Sequence, residues 1–216
     1  MDELYRAPKA DLLDPSKFES PSYNPWLSIW LQPRATMRFV LRTKSIYWAW
    51  FLLLITCIPS VLWGLERRDI PLNYAVVAIV GVVFFILYFL LFTSIMYATR
   101  GWVKGGGNWR GLFIAVGWSS VPFMWGILID LPYWVLYSGT VTLDEALSES
   151  IFYGLDGLTS VISVWGTATL IFCVAEVHKI SFWKSLLHTL LSTIFALIPV
   201  GGLAYWLFFQ YFMFAA

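Results

Sequence analysis

The sequence predicts an all-α fold: an integral membrane bundle of five transmembrane helices preceded by short amphipathic interfacial helices. Three observations carry that expectation. Only 12% of the 216 residues are charged and 59% are hydrophobic, whereas soluble domains carry roughly 25% charged residues. The apolar residues stand in long unbroken runs, and the mean hydropathy of +0.72 makes lipid the principal solvent. Lys and Arg, finally, fall almost entirely on one side of those runs taken alternately.

Residues 1–23 are polar and interrupted by Pro8, Pro15 and Pro21, a composition that favours a disordered cytosolic tail. The stretch has no apolar core of the kind a secretory signal requires, so the first span is expected to act as its own insertion signal. Residues 24–44 form the interfacial part. Asn24 caps a helix whose first position is Pro25. Trp26, Leu27, Trp30 and Leu31 follow at a spacing that places them on one face. Eight residues cannot cross a bilayer, and indole rings favour the headgroup zone, so Trp26 and Trp30 are assigned to the membrane interface. Pro33 restarts a second short helix in which Arg34, Arg38 and Arg42 recur every four residues, with Met37, Val40 and Leu41 facing away. Such a stripe fits a helix lying on an anionic cytoplasmic leaflet; it also serves as the positive flank of the first span, and the two readings are compatible.

The remaining residues to 216 form one membrane domain with spans at about 45–65, 75–99, 111–137, 157–177 and 186–214, each of a length that can cross roughly 30 Å of hydrocarbon. Pro59, Pro122 and Pro199 mark kinks within them. The segment N-terminal to the first span holds seven Lys or Arg, the loop after the second span three and the loop after the fourth two, twelve in all, against only Arg67 and Arg68 on the opposite side. That bias puts the N-terminus in the cytoplasm and the C-terminus outside. In the acidic external loop at 138–156, Thr142 and Glu145 have capping-box spacing, which predicts a short surface helix.

Several motifs invite a chemical reading. Lys104-Gly105-Gly106-Gly107-Asn108 before a helix suggests an anion cradle, but no strand precedes it and no Gly-Lys-Ser/Thr follows. The bland reading is a tight turn capped by Asn108, with basic residues facing lipid phosphates. Asp130 lies roughly 27 Å along its helix from residue 112, near the outer interface, and is read as part of a kinked helix end. Glu176, His178 and His188 would meet only if the last hairpin folded them together, and Glu176 and His178 point in different directions on a helix. Thr159, Ser163 and Thr167 recur every four residues beside Gly166, a stripe suited to close helix packing. Cys57 and Cys173 sit in apolar runs and read as small buried hydrophobes. No catalytic residue, cofactor or metal is assigned.

Three segments together resemble the YIP family of Ypt/Rab-GTPase-interacting proteins, in its bacterial form. Asn24-Pro25-Trp26 through Gln32-Pro33-Arg34, with Thr36 and Arg38, resembles the family's leading segment. Gly105-Gly106-Gly107 with Trp109-Arg110, followed by Gly117-Trp118-Ser119-Ser120-Val121-Pro122, is similar to its Gly-Gly loop and third-span proline. Ala175-Glu176-Val177-His178-Lys179-Ile180-Ser181 is similar to its fourth-span exit. The resemblance covers about residue 24 to the C-terminus and implies a five-helix membrane domain with a cytosolic N-terminus and no agreed catalytic residues. In eukaryotic relatives it implies vesicle trafficking, membrane shaping and binding of prenylated small GTPases; the short tail here differs from the long cytosolic region of the trafficking members.

The expectation is therefore a non-enzymatic protein of a bacterial cytoplasmic (inner) membrane that organises or shapes the membrane or scaffolds other membrane proteins. Its partners would be an anionic leaflet, other membrane proteins and further copies of itself, and no nucleic acid. The alternative is a small transporter or lipid scramblase acting as an oligomer, supported by the proline-bearing spans, Gly201-Gly202 and Asp130.

Overall fold

The computed structural model describes residues 24–66, 74–126, 128–129 and 145–215. The tail at 1–23, Arg67, Arg68, Asp130 and Thr142 lie outside the described residues. The chain is all-α, with no strand among the described residues. In chain order the elements are α1 (Pro25–Leu31), α2 (Pro33–Thr43), α3 (Ile46–Glu66), α4 (Tyr74–Ala98), a 3-10 helix (Thr99–Val103), α5 (Trp109–Ser119), α6 (Glu145–His178) and α7 (Phe182–Ala215).

The leading helices follow from local chemistry. The Asn24 side chain accepts the Trp26 N–H at 3.0 Å, and Pro25 and Pro33 each open a helix, where a missing N–H costs nothing. Gln32 separates the two helices, and the Thr36 and Ser28 hydroxyls hydrogen-bond at 2.9 Å, pinning α2 against α1. Ile29, Met37 and Val40 are fully buried. Both helices are therefore packed onto the bundle along one face.

At the centre lies α5, in which every residue from Gly111 to Ser119 is buried. It packs on α3, α4, α6 and α2, while α7 packs on α4 and α6. The helical path breaks at Ser120, whose N–H and hydroxyl both return to the Gly117 carbonyl, and it resumes over 121–126. Pro122 has no N–H for the Trp118 carbonyl, and the break falls two residues before the proline.

Three helices among the described residues are long and apolar enough to cross a membrane: Ile79–Val103, Glu149–His178 and Phe182–Trp206. Five were expected. The first apolar run contributes a shorter apolar stretch, Ile46–Ile58, and the third is divided at Ser120. The external segment also departs from expectation. Among the described residues no separate short helix precedes the fourth span; α6 runs unbroken for 34 residues, roughly 51 Å at 1.5 Å per residue. Helix α7 likewise continues through Pro199, Gly201 and Gly202, so that stretch is not a broken helix.

Candidate functional site

One end of the bundle gathers the α2–α3 junction, the 99–108 connection and the 179–181 turn. Two non-glycine residues there adopt the left-handed conformation, Lys104 at φ 56° and Lys179 at φ 57°, and each ends a helix. Past Lys179, the Ile180 N–H returns to the Ala175 carbonyl at 3.0 Å, the closing bond of a helix C-terminus with a left-handed cap. These caps aim the connecting loops across the bundle end.

The glycine loop packs on the last turn of α6. Gly106 N–H donates to the His178 carbonyl at 3.2 Å, and Gly107 N–H donates to His178 Nδ1 at 3.3 Å. Asn108 then caps α5 by accepting the Gly111 N–H at 2.7 Å. A Cβ on Gly105 would lie 2.5 Å from His178 Nδ1, and one on Gly107 would lie 2.7 Å from Val177 Cγ1, whereas Gly106 has open space. The loop therefore needs glycine at its first and third positions for close approach.

His178 and His188 do meet, with ring centroids 5.2 Å apart, and both are buried. Because Nδ1 of His178 accepts from Gly107, its ring proton resides on Nε2. Thr99 Oγ1 donates to the Ile95 carbonyl at 2.7 Å, so the 2.8 Å contact with His188 Nε2 has His188 as donor. His178 Nε2 and His188 Nδ1 are both buried without a hydrogen-bond partner. Glu176 points elsewhere, and no group of three or more metal-ligating side chains forms among the described residues.

Glu176 instead receives α2. Its buried carboxylate lies 3.5 Å from Arg38 Nε and pairs with Lys179 Nζ. Arg34 stands over the Phe172 ring at 5.8 Å. Two of the three arginines of the stripe thus meet α6, leaving Arg42 exposed. The indoles are shared in the same way: Trp26 packs on Trp118 at 5.4 Å and Trp48 at 5.9 Å, and Trp30 is half-buried against the core. The apolar residues that α1 turns outward are Leu27 and Leu31, 60% and 86% exposed.

Between the end of α2 and the start of α5 lies a groove of about 660 Å³ lined by Leu41 to Ser45 on one wall and by Gly106, Gly107, Asn108, Arg110 and Gly111 on the other, with Val177 and Ile114 at its base. Arg42, Lys44 and Arg110 all line it, no carboxylate does, and none of the three makes an ion pair among the described residues. Sequence reasoning did not assemble this groove. Lys44 and Arg110 lie 66 positions apart, and only their common place in the positive loops hinted at proximity.

Of the positions assigned to packing or kinks, Pro122 is buried in the core and Ser163 is half-buried, while Thr167 and Pro199 are exposed. Thr167 Oγ1 bonds back to the Ser163 carbonyl at 2.9 Å. Gly166 beside them is buried, and a Cβ there would sit 2.4 Å from the Phe123 ring, so the small residue in contact is the glycine. Pro59 lies within α3.

An all-helical chain with apolar membrane-length helices, a glycine loop locked to a helix end and leading helices docked beneath it defines a multi-pass membrane protein. A family model, the Yip1 domain, matches residues 27–213, nearly the whole chain, and the protein belongs to that family. Neither the curated proteins nor the solved structures return a match.

Proposed function

We propose that the protein is a non-enzymatic, five-span organiser of the bacterial cytoplasmic membrane that acts on one leaflet through α1 and α2. In this reading α3, α4, the α5 segment extended to about 137, α6 and α7 are the spans, the N-terminus is cytoplasmic and the C-terminus external. The twelve-to-two distribution of Lys and Arg supports that orientation.

The observation that carries the reading is the placement of α1. Its inner face is fastened to the core through Ile29 and Trp26, and its outer face offers Leu27 and Leu31. A short helix held rigidly at headgroup depth with two leucines outward is a wedge in one leaflet. Held by the bundle, it does not lose the ordering entropy that a free amphipathic helix loses on insertion.

The test is vesicle shape. Full chain reconstituted into large liposomes containing phosphatidylglycerol is expected to give smaller or tubular vesicles by electron microscopy, and Leu27→Ser/Leu31→Ser to leave them large. Equal remodelling by both proteins, or none by either, refutes the wedge. The double substitution is cleaner than deleting 24–44, which would also strip Met37 and Val40 from the core. Inner-leaflet lipid quenching no faster than in protein-free liposomes separates this reading from a scramblase.

A further inference from the structure

We infer that the groove between α2 and α5 is a binding site for a single phosphate group, filled in the membrane by the headgroup of an anionic phospholipid. It rests on the membrane reading but not on the wedge residues Leu27 and Leu31, and it concerns a bound ligand. Arg42, Lys44 and Arg110 line one concavity without a carboxylate among its walls. Elsewhere at this end the structure neutralises charge readily: Glu176 takes both Arg38 and Lys179. Three cations left unpaired around one cavity among the described residues repel one another, and that repulsion is relieved by an anion between them.

The chemistry favours phosphate. Arg42 and Arg110 can each present a planar fork to phosphate oxygens and Lys44 a point charge. The first turn of α5 adds amides without intrahelical partners, since the Asn108 side chain satisfies only that of Gly111. Gly106 and Gly107 contribute no amides, because both are spent on His178. Their part is steric: they line the groove without placing a side chain in it.

The level of the groove favours a lipid as the source. Tyr47 and Trp48, two and three residues beyond Ser45, are 78% and 40% exposed at the start of α3, and Trp183 is 74% exposed at the start of α7. Amphipathic rings turned outward at helix starts occupy the headgroup layer, which places a phosphodiester at the height of the three cations.

Native mass spectrometry of the full chain in a neutral detergent, titrated with phosphatidylglycerol, tests the site. One saturable phosphatidylglycerol is expected to bind, weakened about fivefold by each of Arg42→Gln, Lys44→Gln and Arg110→Gln and roughly a hundredfold by all three. All three residues are at least partly exposed, so the variants should keep the wild-type melting temperature. Lys184→Gln removes an exposed cation outside the groove and should change affinity less than twofold. Displacement of the lipid by millimolar inorganic phosphate would support the phosphate site while assigning it to a soluble ligand. Equal losses for Lys184→Gln and for the groove variants, or undiminished lipid binding by the triple variant, would overturn the site.

Discussion

Alanine placed in turn at Gly105, Gly106 and Gly107 tests how closely their loop approaches the last turn of α6. At Gly105 an added Cβ would meet His178 Nδ1 at 2.5 Å and Cγ at 2.7 Å, roughly 1 Å inside ordinary contact distance. The atoms it meets belong to a buried ring, fixed on its other side by His188, so no flexible side-chain end can yield. Either the ring shifts, at the overpacking cost of about 1–3 kcal/mol, or the loop lifts. Lifting loses the Gly106 bond to the His178 carbonyl and the Gly107 bond to Nδ1, worth about 0.5–1.5 kcal/mol each. Both routes give about 2 kcal/mol. Gly107→Ala meets Val177 Cγ1 at 2.7 Å and His178 Nδ1 at 2.9 Å and falls in the same range. Gly106→Ala meets nothing within 4 Å and should stay within about 0.5 kcal/mol of wild type. Thermal unfolding in detergent should therefore put Gly105→Ala and Gly107→Ala roughly 4–8 °C below wild type and leave Gly106→Ala alone. Hydrogen exchange should speed up at the 106 and 107 amides in the two damaging variants only. A uniform loss across the three, or a harmless Gly105→Ala, would refute the packing argument.

Two further outcomes follow from the contacts of α2 and α5. Arg38→Gln and Glu176→Gln should be coupled in a double-mutant cycle by about 0.5–1 kcal/mol, limited by the 41% exposure of the Arg38 side chain; additive losses would mean that the ion pair does not dock α2. Gly117→Ala drives a Cβ to 2.6 Å from the Ala49 Cα and should destabilise by about 1–3 kcal/mol, whereas Gly201→Ala has open space and should match or exceed wild type by the usual helix gain of about 1 kcal/mol. Equal melting temperatures for these two variants would show that α3 and α5 do not approach as closely as the structure has them.

Local chemistry made much of the fold legible. Asn24, Pro25, Pro33 and Asn108 announce helix starts through capping and proline rules that act within a few residues, and each starts a helix. The runs that became α4 and α7 read as helices because no Asp, Glu, Lys or Arg interrupts them over 75–98 and 185–214. What failed was the reading of interruptions. Gly201-Gly202 looked like a break, yet a helix with its hydrogen bonds shielded from water keeps them through glycine. Thr142 and Glu145 suggested a separate cap, yet the helix beginning at Glu145 continues to His178. The site was the least legible, because its contacts are long-range. Periodicity gave Arg34, Arg38 and Arg42 one face without saying what that face meets, and the face meets Phe172 and Glu176 as well as the groove.

The last turn of α6 is where these long-range contacts converge, and that bears on how the proposed wedge and groove relate. One wall of the groove is the end of α2, which Glu176 holds through Arg38. The other wall is the glycine loop, which His178 holds through a carbonyl and a ring nitrogen. One residue separates the anchors on a single helix, so α6 sets the spacing of the walls together with the direct packing of α5 on α2 and α3. The α2 wall is held by the Arg38–Glu176 ion pair and also by Met37 and Val40, both fully buried in the core. The glycine-loop wall, tied by buried hydrogen bonds, stays in place. The buried face of α2 and the last turn of α6 together thus hold Arg42 and Lys44 against the wall that carries Arg110.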